Sequence, residues 1–167
     1  MLYSSWISEK FYYMTKVLFV CLGNICRSPL AEAIFKQKVA ALGLDFGSDS
    51  CGTSNYHIGE LADPRTRANA AKNGVHIGHR GRQLQSADLE NFDLILAMDK
   101  SNYRHILQLG DAKKYTHKIH LMRSFDPLPG DEVPDPYYSG EDGFQSVFEI
   151  LSRSVDGLIG RMRQSNG

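Results

Sequence analysis

Cys21 and Arg27, with five residues between them, sit in the run V-L-F-V-C-L-G-N-I-C-R-S-P from Val17 to Pro29. An apolar strand that breaks into a short polar turn and restarts as a helix at Ser28 and Pro29 aims a row of backbone N–H groups at one point, which favours an anion. The thiol inside that ring supplies a nucleophile. A free thiol with a pKa of about 8.5 is only a few per cent ionised at neutral pH, whereas a helix N-terminus and a neighbouring guanidinium can lower the value to roughly 3.5–7.5. Arg27 offers a planar fork of donors that matches two oxygens of a phosphate. Ser28 can serve as N-cap with Pro29 at the first helical position, and the Ser28 hydroxyl is close enough to hydrogen-bond the Cys21 sulfur. Gly23 lets the backbone turn without a side chain in the anion's way, and Asn24 can pin the loop through its amide. Leu22, Gly23, Asn24, Ile25, Cys26, Arg27 and Ser28 together form the candidate phosphate-binding loop. It is not a nucleotide-binding loop, because it lacks the second glycine and the Lys-Ser/Thr pair of G-x-x-x-x-G-K-[ST].

A C-x5-R spacing by itself decides little, since Cys21 could be a buried strand residue and Arg27 a surface charge. Strand, turn, Asn, Arg-Ser-Pro and helix together are specific, and C-L-G-N-I-C-R-S-P resembles the phosphate loop of the low-molecular-weight protein tyrosine phosphatases. The resemblance continues in S-x-x-T-S-x-Y (Ser50 to Tyr56), H-R-G-R-Q-L (His79 to Leu84), F-D-L-I-L-A-M-D (Phe92 to Asp99) and D-P-Y-Y (Asp135 to Tyr138), in the family's order. It covers the chain from about Val17 to Met162.

These residues need a scaffold. A strand over Val17 to Leu22 is followed by a helix from Pro29 to about Leu42, stopped by Gly43, and a weakly signalled strand near Asp49 to Thr53. Asp63 and Pro64 read as N-cap and first turn of a helix ended by Gly74, and Ser86 can begin a short one. The apolar run Asp93 to Met98 suits a strand buried on both faces, Asp99 then caps a helix reaching Gly110, and Lys118 to Met122 makes a fourth strand. Ser124 to Gly143 has no periodicity and reads as a long loop. Phe144, Val147, Phe148, Leu151, Val155, Leu158, Ile159 and Met162 then keep helical spacing. Alternating strands and helices predict an α/β fold, a parallel sheet with helices on both faces and its ligand site beyond the carboxyl ends of the strands. The resemblance implies a single domain with a four-stranded sheet of order 2-1-3-4.

With 167 residues, 42% of them apolar, and 19 Lys+Arg against 19 Asp+Glu, the chain suits one domain over residues 16–164 and carries no polyanion footprint, so nucleic acid is not an expected partner. Three cysteines do not make a disulfide framework and suit a reducing cytoplasm. Cys21 and Cys26, as a lone C-x4-C pair, have poor zinc spacing, and no metal or other cofactor is expected. No apolar run has the length of a membrane span. Residues 1–15 precede the first strand as an N-terminal extension, either translated from an upstream start or packed on the domain as an extra element. Self-association is expected to be weak or absent.

A thiolate attacking a phosphate ester expels an alkoxide or phenoxide that something must protonate. Asp135, in a long loop stiffened by Pro136, is the best candidate from the residues, although Asp63-Pro64 and Asp126-Pro127 show how common the dipeptide is. The resemblance singles out Asp135. It implies metal-independent hydrolysis of phosphotyrosine or small aryl phosphates through a cysteinyl-phosphate, with Tyr56 and Tyr138, and Tyr137 beside them, at the mouth. It also implies support of the loop by Asn24, Ser28, Ser50 and His79, whereas His57, His76, His105, His117 and His120 are expected to be ordinary. Cys26 can be a small filler of the loop wall or, as family analogy favours, the partner of Cys21 in a reversible disulfide. Two other readings compete. A thiol-dependent arsenate reductase on this fold needs further cysteines downstream, and none follows Cys51. A phosphotyrosine-binding module without turnover would have no use for Cys21, Arg27 and Asp135 together.

Overall fold

The computed structural model describes residues 16–165. Strand β1 (Lys16–Cys21) is buried after its first residue. Because side chains alternate along a strand, Val17, Phe19 and Cys21 face one side of the sheet and Leu18 and Val20 the other, and both sides are covered. This is why the segment reads as a continuous apolar run. On the first side lie Leu30, Ile34 and Phe35 of helix α1 (Arg27–Ala41) and Val147, Leu151, Val155 and Leu158 of helix α5 (Glu141–Ser165). On the other lie Leu89 of α3 (Ser86–Asn91) and Ile106 of α4 (Lys100–Leu107).

With β2 (Gly47–Gly52), β3 (Leu94–Ala97) and β4 (Ile119–Leu121), β1 forms a four-stranded parallel sheet of order β2-β1-β3-β4. Parallel neighbours need crossover connections, which the helices provide. β1 sits between β2 and β3, so successive crossovers leave it in opposite directions and a crevice opens at its carboxyl end. Cys21 is the last residue of β1.

Local signals placed most boundaries. Gly43 and Gly74, at φ 67° and 77°, follow α1 and α2 (Pro64–Lys72), where a left-handed residue ends a helix at little cost. Asp63 caps α2 by accepting from Arg65 N, and Asp99 caps α4 by accepting from Asn102 N at 2.7 Å. Four expectations need correction. α1 starts at Arg27, with Cys26 at the N-cap position and no side-chain cap, because the Ser28 hydroxyl is spent on the loop. α4 stops at Leu107 rather than near Gly110, and Ala112–Lys118, a polar stretch without apolar periodicity, winds into a 3-10 helix. Another 3-10 turn, Met122–Phe125, occupies the start of the expected loop, and α5 closes it early by beginning at Glu141. The rest of the loop is tied down by Asp126. Its buried carboxylate takes hydrogen bonds from Arg123, Arg153 and Leu128 N, which leaves neither oxygen unpaired.

Among the described residues no helix is long and apolar enough to cross a membrane. The expectation for residues 1–15 lies outside the described residues.

Candidate active site

Beyond Cys21 the backbone curls through residues 22–26 before α1 begins. Asn24 is the pivot. At φ 55° it is the one non-glycine residue among those described in the left-handed region, a conformation that asparagine tolerates better than most residues. The glycine expected to make the turn has another reason to be small: a Cβ on Gly23 would lie 3.1 Å from His57 Cδ2. The curl brings Asn24 N to 3.3 Å from the Cys21 sulfur, and Ser28 Oγ lies 2.9 Å from the same atom. Ser28 Oγ accepts from Asn24 Nδ2 at 2.8 Å, which leaves its hydrogen for the sulfur or for the Cys51 carbonyl at 3.3 Å. The Asn24 N–H thus points at the sulfur, with the Ser28 hydroxyl placed to join it.

The Asn24 side chain uses its full capacity. Its Nδ2 donates to Ser28 and to Ser50 Oγ at 3.0 Å, while its Oδ1 accepts from Arg82 N at 3.0 Å and faces His79 Nε2 at 2.8 Å. Ser50 passes its own hydrogen to Glu32 Oε1 at 2.7 Å. The other His79 ring nitrogen faces Glu32 at 3.2 Å and Asp49 at 3.5 Å. Glu32, Asp49 and His79 are also the one group among the described residues with metal-ligand types drawn close together. Their acidic charge is already matched by Lys36 on Glu32 and Arg82 on Asp49. The structure therefore brings Asn24, Ser28, Ser50 and His79 into one network, and adds Arg82, part of H-R-G-R-Q-L but given no role there, and Glu32 and Asp49, which no motif announced.

Arg27 is buried. Its Nη1 donates to Asp99 Oδ2 at 2.7 Å and to the Val133 carbonyl at 3.0 Å, and its Nη2 lies 3.7 Å from Asp135 Oδ2. Burial alone would lower its pKa, but the Cys21 sulfur and Asp99 outweigh that effect and raise it. Asp99, read only as a helix cap, both caps α4 and holds Arg27. The signal was its place directly beyond β3, at the same edge of the sheet as Cys21.

Cys21, Cys26, Arg27, Tyr56, Asp135 and Tyr138 line one cavity of about 240 Å³, with Leu22, Gly23, Ile25 and Tyr137 in its wall. Tyr138 is almost fully exposed and packs edge-on against Tyr137 with ring centres 5.0 Å apart. His57, expected to be ordinary, also lines the cavity, its Nδ1 held 2.6 Å from Glu60. Cys26 is a free, buried thiol, and burial, opposed weakly by Thr66, pushes it up to about 12. Cys51 is free as well and fully buried, and its pKa is likewise raised by burial.

A parallel α/β sheet with a cysteine at the carboxyl end of an inner strand, and a tight loop and helix start behind it, defines a class of folds with a thiol at the ligand crevice. Comparison narrows it. A profile of the family described as low molecular weight phosphotyrosine protein phosphatase matches residues 16–166. A low molecular weight protein-tyrosine-phosphatase of Streptomyces coelicolor is 43% identical over 154 residues, 89% of this chain and 94% of its own length. One from Schizosaccharomyces pombe is 47% identical over 81% of this chain and 90% of its own. The crystal structure of a protein tyrosine phosphatase from Entamoeba histolytica, with Hepes in the active site, superposes with a TM-score of 0.86 at 42% identity, covering 90% of this chain and 97% of that one. The chain belongs to the low-molecular-weight protein tyrosine phosphatases, and is an enzyme of that class.

Proposed function

We propose that the protein hydrolyses phosphotyrosine and small aryl phosphate esters in two steps at Cys21. The observation that carries this reading is the Cys21 sulfur with Ser28 Oγ at 2.9 Å and Asn24 N at 3.3 Å, in a cavity it shares with Arg27 and Asp135. The sulfur attacks phosphorus, the loop N–H groups and the Arg27 guanidinium hold the equatorial oxygens, and Asp135 gives its proton to the departing phenol. Asp135 then takes a proton from water, which releases phosphate from the cysteinyl-phosphate. Charge that a metal supplies in other phosphoryl transfers comes here from Arg27 and the loop, so the reaction needs no metal. Tyr56 and Tyr138 flank the mouth, where their rings can sandwich a phenyl group.

Reversible oxidation is the second part of the reading. Peroxide converts the Cys21 thiolate to a sulfenic acid, and the Cys26 thiol condenses with it to a disulfide with loss of water. With its pKa pushed up to about 12, Cys26 stays protonated and is not the sulfur that peroxide reaches first.

Cys21→Ser tests the main claim: turnover of an aryl phosphate should disappear, with or without chelator, while inorganic phosphate still binds. Normal turnover in that variant would sink the mechanism. Turnover of arsenate with thiol, rather than of aryl phosphates, would favour the reductase reading. Asp135→Ala should reduce kcat/KM most for esters with poor leaving groups.

A further inference from the structure

Asp135 reaches the cavity on a loop more than a hundred residues away from Cys21 in sequence, and one exposed side chain ties that loop to the phosphate loop. The Arg65 guanidinium donates through Nη1 to the Tyr137 carbonyl at 2.9 Å and stacks 5.2 Å from the centre of the Tyr137 ring. Tyr137 N in turn donates to Asp135 Oδ1 at 3.1 Å, so the backbone unit that Arg65 grips orients the carboxyl of Asp135. On its other side the guanidinium is held by Asp63, Nε to Oδ1 at 3.1 Å and Nη2 to Oδ2 at 2.8 Å. Asp63 is itself fastened to the phosphate loop, its N–H donating to the Ile25 carbonyl at 2.8 Å. The same guanidinium lies 4.9 Å from the ring centre of Phe144, and Phe144 packs with Ile25 and Cys26.

We infer that Arg65 is a positioning residue that sets Asp135 over the Cys21 loop by clasping Tyr137 to Asp63 and Phe144. The inference rests on the acid role of Asp135 given above. A planar fork suits this place: one edge takes the Asp63 carboxylate in two bonds, an Nη1 hydrogen takes a carbonyl, and the flat faces meet rings. Arg65 touches neither the sulfur nor the space for phosphate, so its loss should leave oxyanion binding intact. It should weaken proton delivery only.

That separation makes the claim testable with kcat/KM, which reports the step that expels the phenol. For Arg65→Ala, phenyl phosphate should lose roughly tenfold and 4-nitrophenyl phosphate less than about threefold, a fraction of what a general acid contributes in full. Inhibition by inorganic phosphate should be unchanged, and adding Arg65→Ala to Asp135→Ala should cost nothing more on either ester. Asp63→Asn, which loosens the grip and leaves the guanidinium in place, should show the same pattern at smaller size. Equal losses on the two esters, or a full further loss in the Asp135→Ala background, would overturn the inference. Failure of the acid role itself has a different signature: Asp135→Ala alone would lose the same factor on both esters, and both readings would fall.

Discussion

Replacing Asn24 with alanine removes the most heavily used side chain of the loop. Four hydrogen bonds disappear, to Ser28, Ser50, His79 and the Arg82 N–H, and an alanine is left at φ 55°. At about 1 kcal/mol for each bond and about 1 kcal/mol for the left-handed backbone, the loss is at most about 5 kcal/mol. Some partners recover, since Ser28 keeps the Cys21 sulfur, and Ser50 and His79 keep Glu32. A loss of about 3 kcal/mol is therefore expected, which a domain stable by 5–15 kcal/mol survives with a melting temperature roughly 10 °C lower. Urea unfolding followed by far-UV circular dichroism measures it directly. Asn24→Gly is the control: it loses the same bonds but not the backbone preference, and should be about 1 kcal/mol more stable than Asn24→Ala. In both variants kcat should fall at least about tenfold, because the side chain that fixes the loop, and with it the Asn24 N–H, around the sulfur is gone. A loss below about 1 kcal/mol for alanine, or no advantage for glycine, would refute the account of the loop as a shape imposed through Asn24.

Three further outcomes follow from specific contacts. A Cβ on Gly52 would lie 2.7 Å from the Leu22 carbonyl oxygen and 3.1 Å from Asn24 N, so Gly52→Ala should push the phosphate loop aside and lower kcat/KM by about a hundredfold; activity within a few-fold of the parent would contradict that contact. The Asp126 carboxyl is resisted by burial but held below its usual pKa by Arg153, the Leu128 N–H and Arg123, so its folded value lies under the unfolded one of about 3.9. Its stabilisation is complete above that unfolded value and lost as pH falls through the folded one; Asp126→Asn should be less stable than the parent in urea at pH 7, by a margin that shrinks as pH falls below about 4, and a margin independent of pH would contradict this. Peroxide-treated protein should regain activity with dithiol and show a Cys21–Cys26 link by mass spectrometry, whereas Cys26→Ser should be inactivated irreversibly; recovery of that variant would remove Cys26 from the redox reading.

Much of the site was legible because it is local. Cys21, Arg27 and Ser28 are set by one strand, one turn and one helix start, and the order of elements implies a parallel sheet that puts the loop at its carboxyl edge. What escaped depends on residues distant in sequence. Asp99 has a sufficient local role as a helix cap, and its place beyond β3 indicates the shared edge of the sheet but not that Arg27, 72 residues away, reaches it. Glu32 looks like one member of an ordinary i,i+4 pair with Lys36, yet it is buried and receives the Ser50 hydroxyl. The turn at Asn24 was misplaced to Gly23 because glycine is the usual left-handed residue, while the reason for Gly23 is a histidine 34 positions later. Ala112–Lys118 shows the same limit in the scaffold, a polar segment with one buried alanine and no period to read.

The central claim is that Cys21 carries the phosphoryl group during turnover. Mixing the protein with an aryl phosphate, quenching in acid within milliseconds and mapping phosphate by mass spectrometry should find one phosphoryl group on Cys21, more abundant in Asp135→Ala and absent in Cys21→Ser. Turnover with no phosphorylated Cys21 at any quench time in either the parent or Asp135→Ala, or with the phosphoryl group on another residue, would contradict it.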